Sequence, residues 1–293
     1  MAQAANAAAT PGATIEPSLR VAAVQMVSGA NVSENLARAE QLIGEAAAAG
    51  ARLVALPEYF VLLGRSDRDK LAIREPDGHG PLQAFLSGQA AAHGLWLVGG
   101  TMPLASAHPG KVLNSTLVHG PDGRRVARYD KIHLFGFDNG SERYDESATL
   151  VPGRTPTVFD VESAPSPGAP PATWRVGLSV CYDLRFPELY RALSPADLML
   201  VPSAFTWTTG AAHWEVLLRA RAIENQCYVL APAQGGQHEN GRRTWGHSML
   251  IDPWGEVVSA RTQDGEGVVV GDVSRARLRQ VRASLPALSH RVM

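Results

Sequence analysis

Two short apolar runs flanking an alanine-rich stretch constrain the fold of this chain more than any other feature. Residues 19–27 and 52–56 are rich in valine, leucine and alanine, and their length and β-branched content favour buried strands. Between them, residues 34–49 form an alanine-rich run that Asn31 or Ser33 can cap at its start and Gly50 can end. A strand, a helix and a second strand in that order define a unit of α/β type. Pro57 stops the second strand and leaves Glu58 just past its end.

The rest of the chain continues in this style. Strands are predicted at 95–102, 113–118 and 125–129, the last two joined by the turn Gly120-Pro121-Asp122-Gly123, so this part reads as antiparallel. Further strands are predicted at 174–180, 198–201, 227–231, 248–251 and 267–270, with helices at 187–193, 212–224 and 275–282. Residues 162–173 are too rich in proline and small residues to pack and read as a surface loop between strands. No period repeats along the chain. Residues 1–18 lack a basic n-region and a continuous apolar core, so they read as a flexible tail rather than a secretory signal, ahead of a single domain over 19–293.

Composition narrows the function. With 293 residues, 45% of them hydrophobic, the chain can bury a substantial core. A net charge of −1 without dense Lys/Arg runs gives no field for nucleic acid or anionic lipid, and no stretch reaches the roughly eighteen apolar residues of a membrane span. The two cysteines, Cys181 and Cys227, sit beside apolar runs, a usage that suits a reducing, cytoplasmic setting. A small-molecule partner is expected. Among nine histidines there is no H-E-x-x-H, and no paired C-x-x-C or phosphate-binding glycine motif occurs. No metal or organic cofactor is therefore expected.

Cys181 is the most informative residue, because it stands where the strand at 174–180 gives way to Tyr182-Asp183-Leu184-Arg185-Phe186-Pro187-Glu188. A helix following it would aim free N–H groups at the sulfur and favour thiolate. Position alone fits a small buried hydrophobe equally well. Cys227 lies inside a predicted core strand and reads as packing. Gly177-Leu178-Ser179-Val180-Cys181 approaches the G-x-S-x-G elbow of serine hydrolases, but a cysteine replaces the last glycine, which argues against Ser179 as nucleophile. Glu58, beside an apolar and aromatic sequence, would have its pKa raised by desolvation, as a general base near neutral pH needs; a solvated loop carboxylate is the alternative. Lys131 interrupts a strand-like run and is either a fixed cation for an oxyanion or a surface lysine. Glu146 carries no local signal of its own. Trp207 and Trp214 fit a pocket wall or core packing.

Together these segments resemble the nitrilase, or carbon-nitrogen hydrolase, superfamily from about residue 19 to the C-terminus. The glutamate motif corresponds to Leu56-Pro57-Glu58, the lysine motif to Tyr129-Asp130-Lys131-Ile132-His133-Leu134-Phe135, and the cysteine motif to Val180-Cys181-Tyr182-Asp183-Leu184-Arg185-Phe186-Pro187-Glu188. The resemblance implies an α/β fold of the four-layer-forming αββα sandwich type, usually dimerised into four layers. It also implies a catalytic set of Cys181, Glu58 and Lys131, with Glu146 as a second active-site glutamate. Cys181-Tyr182-Asp183 in place of Cys-Trp-Glu is similar to the amidase branch rather than to true nitrilases. The implied substrate is a small carboxylate-bearing amide, deaminated glutathione first and a monoamide such as 2-oxoglutaramate second, bound near Tyr182, Arg185 and Phe205. Arg185 either meets the substrate carboxylate or pairs with a nearby acid to hold its loop. Departures from the pattern occur at 162–173 and at Phe137-Asp138-Asn139-Gly140, both expected to border the pocket. A Cys-His hydrolase using His133 or His213 is the rival enzyme, and a silent binding or scaffold protein the rival of another class.

Overall fold

The computed structural model describes residues 16–163 and 169–292, so most of the expected tail, and part of the proline-rich loop, lie outside the described residues. Two sheets stack face to face. The first is seven-stranded, running Gly267–Ser274, Ser18–Gln25, Leu53–Ala55, Trp96–Val98, Val112–His119 and Met102–Ala105, with Arg125–Asp130 also paired to Val112–His119. The second is six-stranded, running Val257–Ala260, Met249–Ile251, Tyr228–Ala231, Leu198–Leu200, Ala172–Leu178 and Thr157–Ser163. Each sheet has a core of three parallel strands, Ser18–Gln25, Leu53–Ala55 and Trp96–Val98 in one, Ala172–Leu178, Leu198–Leu200 and Tyr228–Ala231 in the other.

Alternation along Ser18–Gln25 explains why this strand is apolar on both faces. Leu19, Val21 and Ala23 pack into the cluster shared with the second sheet, while Ala22 and Val24 face the helices outside. Helix α1 (Val32–Ala48) covers that outer face with Ala39, Leu42, Ile43 and Ala46, a stripe at helical spacing, and Asn31 caps it by accepting from the Ser33 N–H at 3.0 Å. Helix α2 (Pro81–His93) lies beside it, started by Pro81 and ended by Gly94 in the left-handed region at φ 58°. On the far side, α3 (Pro187–Leu193) and α4 (Trp207–Asn225) cover the second sheet through Leu189, Leu193, Trp214 and Leu218. Helix α5 (Arg275–Ser284) follows the last strand. One chain thus supplies all four layers of the αββα sandwich, which corrects the expectation that dimerisation makes the four.

Several segments depart from the sequence reading. The strand expected at 95–102 is broken at Gly99 and Gly100, since Gly100 has φ 45° and a Cβ there would sit 2.0 Å from the Pro57 carbonyl oxygen. That close approach holds the turn carrying Glu58 against the neighbouring strand. The loop expected at 162–173 is shorter, because Glu162 and Ser163 pair with Thr173 and Ala172 as strand. This hairpin end is opposite to the end where Leu178 leads to Cys181, so the described part of the loop does not border the reactive cleft. Helix α4 begins five residues before the expected start, and α2 has no counterpart among the expected elements.

Candidate active site

Glu58 and Cys181 both follow the carboxyl ends of parallel strands, one in each sheet, so stacking the sheets brings them together. Lys131 follows Arg125–Asp130 at the same end, and Glu146 opens a 3-10 turn (Glu146–Ala148) after the hairpin Gly136–Asp138/Arg143–Asp145. The Lys131 ammonium donates to Glu58 Oε1 at 2.9 Å and to both Glu146 oxygens at 2.9 and 2.8 Å, with its side chain fully buried. The surface-lysine reading is therefore excluded. Cys181 and Glu58 line the same cleft, close enough to bear on each other electrostatically, and the backbone N–H of Ala204 donates to Glu58 Oε2 at 3.0 Å. Asn114 donates to Glu58 Oε1 at 3.0 Å, while Glu146 also accepts from Tyr59 OH and the Phe135 N–H, each at 2.7 Å.

Backbone conformation is unusual at two of these positions. Cys181 has φ 50° and Tyr59 has φ 58°, two of the four non-glycine residues with positive φ among those described. Side chains tolerate that region at a cost, and it persists where surrounding contacts fix it. Asp183 is one such contact. Fully buried, it accepts from Val180 N–H at 2.9 Å, Tyr129 OH at 2.6 Å and His133 N–H at 2.9 Å. It straps the cysteine turn to the segment carrying Lys131.

The two carboxylates are driven apart in affinity for protons. Burial and the negative charge of Glu146 raise the pKa of Glu58 despite Lys131. For Glu146, burial is outweighed by Lys131 and by the donors from Phe135 and Tyr59, which hold it below the ordinary range. Lys131 is itself desolvated, yet the two carboxylates keep its pKa well above the ordinary lysine value. Burial pushes the Cys181 thiol well up, the Glu58 charge adds to that, and Lys131 opposes. The expected thiolate is thus corrected: a 3-10 turn, Cys181–Arg185, follows the sulfur and α3 begins only at Pro187, so no α-helix N-terminus stabilises an anion there. The sulfur rests as a thiol beside a carboxylate able to take its proton.

A cleft opens over Cys181 between Glu58, Phe135, Tyr144, Glu146, Ala204 and Thr206, with Arg242 and Arg243 at its mouth. A smaller recess on another flank of the sulfur is lined by Phe135, Tyr182, Arg185, Phe205 and Thr209. Tyr182, Arg185 and Phe205 thus stand beside Cys181. No carboxylate pairs with Arg185 among the described residues; its guanidinium lies over the Phe205 ring at 5.5 Å and 3.3 Å from His213 Nδ1. The hairpin containing Phe137 and Asp138 does border the cleft, through Tyr144 and Asp145. His133 is engaged with Asp183 and stacked on Phe186 at 3.7 Å, so neither it nor His213 lines the cleft. Ser179 is buried in hydrogen bonds to Tyr190 and the Leu200 carbonyl. Trp214 is core, its indole N–H bonded to the His247 carbonyl, and Trp207 packs on Trp245.

Sequence reasoning assigned no role to Asn114, Tyr59, Arg242 or Arg243, whose contacts join segments distant along the chain, and it carried Asp183 only as a member of the cysteine motif.

Two stacked sheets whose strand ends converge on a buried cysteine, two glutamates and a lysine are what the three motifs imply. The chain matches the carbon-nitrogen hydrolase family over residues 20–283 and belongs to it. It is 44% identical to the deaminated glutathione amidase of Synechocystis sp. (strain PCC 6803 / GT-S) over 276 residues, covering 92% of this chain and 97% of that protein. The human omega-amidase NIT2 is 38% identical over 273 residues, covering 92% and 93%. Among solved structures, Saccharomyces cerevisiae Nit3, a member of branch 10 of the nitrilase superfamily, superposes with a TM-score of 0.82 at 28% identity, covering 97% of this chain and all of that one.

Proposed function

We propose that this chain is a cysteine amidase that hydrolyses a small carboxylate-bearing amide through a thioester, with deaminated glutathione as its substrate. The observation that carries the reading is that buried Cys181 lines one cleft with Glu58 and Glu146, both bound by the buried Lys131 ammonium. An amide needs a strong nucleophile, charge stabilisation for the oxyanion and a proton for the departing amine. Glu58 takes the thiol proton as sulfur attacks the carbonyl carbon, and Lys131 with the backbone N–H of Tyr182 stabilises the tetrahedral oxyanion. Collapse breaks the C–N bond while Glu58 gives its proton to the amine. Water, deprotonated by Glu58 and oriented by Glu146, then cleaves the thioester, releasing the acid and restoring the thiol. The raised proton affinity of Glu58 suits this shuttling, and the ionised Glu146 suits a fixed role.

The similarity to an omega-amidase supports a second reading, in which a short monoamide such as 2-oxoglutaramate is the substrate. Steady-state kinetics on both amides, with a simple nitrile as control, separates them. Deaminated glutathione is expected to give the highest kcat/KM. A higher value for 2-oxoglutaramate favours the second reading, and a preference for the nitrile contradicts both.

In the same proposal, residues 19–293 act as one hydrolase domain and the enzyme is a cytoplasmic homodimer or higher homo-oligomer. Exposed Val216 and Ile223 on α4, close to the turn bearing exposed Trp254, support self-association. Two unpaired cysteines support a reducing compartment. No helix among the described residues is long and apolar enough to cross a membrane.

A further inference from the structure

The cleft over Cys181 continues past Tyr59 and Leu63 into a side groove lined by Leu62, Ser66, Asp67, Lys70 and Arg242. Lys70 is the unusual residue in it. Its ammonium lies 5.0 Å from the centroid of the Tyr59 ring and, among the described residues, has no hydrogen bond or ion pair. The one carboxylate lining the groove, Asp67, is already held by the Arg242 guanidinium at 2.9 and 3.0 Å. Two cations against one carboxylate leave the groove with a net positive charge. Burial holds the Lys70 pKa below the ordinary lysine value, with Asp67 and Glu146 opposing; a half-buried ammonium without a partner gains from an incoming anion.

The direction of the groove indicates which end of the substrate reaches it. In the mechanism proposed above, on which this inference rests, the departing nitrogen must face Glu58 to receive a proton. Glu58 precedes Tyr59, and Tyr59 connects Glu146, through its hydroxyl, to Lys70, over its ring. The substituent on the amide nitrogen therefore runs along Tyr59, whereas the recess by Arg185 and Phe205 remains for the acyl chain.

We infer that Lys70 is a specificity-determining residue that binds the terminal carboxylate of the leaving amine, selecting amides of anionic amines such as a dipeptide over amides of ammonia or of uncharged amines. The test uses the full-length enzyme and two substrates: deaminated glutathione and the same molecule with its C-terminal carboxylate converted to a carboxamide. Wild type is expected to favour the acid. Lys70→Met keeps an unbranched side chain of similar length without the charge and should reduce the acid-over-carboxamide ratio of kcat/KM by roughly 10- to 100-fold, the size of a lost charge-assisted contact. Lys70→Arg should restore most of the ratio. An unchanged ratio in a folded Lys70→Met that still hydrolyses deaminated glutathione overturns the assignment and leaves the proposed function standing. A wild type that hydrolyses neither compound but turns over other amides overturns both.

Discussion

Cys181 and Cys227 have the same side chain, both are buried and unpaired, and each adjoins a parallel strand of the same sheet. Burial alone pushes the Cys227 thiol up to about 12, with Arg282 and Asp197 acting in opposite directions around it. Cys181 is also pushed up by burial, but there the Glu58 carboxylate shares its cleft and raises it further, while the Lys131 ammonium, bound to Glu58, opposes. Its backbone is held at φ 50° at a turn, while Cys227 closes an ordinary helix end by donating its N–H to the Ala222 carbonyl. Desolvation by itself makes a thiol inert. The reactivity proposed for Cys181 rests on a proton acceptor and a cation placed in the same dry space.

The largest effect should come from exchanging the two residues for alanine. Cys181→Ala is expected to bring turnover to background in a steady-state assay, and Cys227→Ala to keep most of it, with only the melting temperature lowered. Full activity in Cys181→Ala would erase the distinction between the two sites. Next in size is Lys131→Met. Loss of one oxyanion donor costs about 100- to 1000-fold in kcat, and the fall should lie in kcat rather than KM, as for a contact made chiefly in the transition state. A change confined to KM would make Lys131 a substrate clamp. The smallest effect concerns ionisation. Glu58→Gln removes a negative neighbour, so the Cys181 thiol should ionise at lower pH than in wild type. Thiolate absorbance followed against pH in the Cys227→Ala background reads this shift, and a shift to higher pH would mean that Glu58 does not bear on the sulfur.

Much of the sandwich was legible in the sequence because its parallel strands are buried on both faces and read as short continuous apolar runs. The strand at Leu53–Ala55 and helix α1 fall close to where composition and capping signals put them. Helix α2 escaped although Pro81 and Gly94 mark its ends, since its many alanines and polar residues give a weak apolar stripe. The hairpin Gly136–Asp138/Arg143–Asp145 is too short to show alternation. Glu58, Lys131 and Cys181 were visible through the three motifs that resemble the carbon-nitrogen hydrolase family, since standing at a strand end left each of them with a purely structural alternative. Asn114 was not, because its role exists through a contact with Glu58, 56 positions away, and the strap that Asp183 makes to Tyr129, 54 positions away, could not be read from its place in the cysteine motif. Lys70 lies in a charged loop sequence that looks solvated until the fold turns it onto Tyr59. The preference of the sulfur for its proton was not legible for a related reason, since it comes first from burial and then from the charge of Glu58, which only the fold places beside Cys181.

The account's central claim, that Cys181 carries the acyl group, is tested most directly by intact-protein mass spectrometry after rapid acid quench of the enzyme with deaminated glutathione, followed by peptide mapping. The mass of one acyl group should appear on the peptide containing Cys181, be absent from the peptide containing Cys227, and vanish in Cys181→Ala. Turnover with an acyl adduct on Cys227, or adduct formation that survives Cys181→Ala, would contradict it.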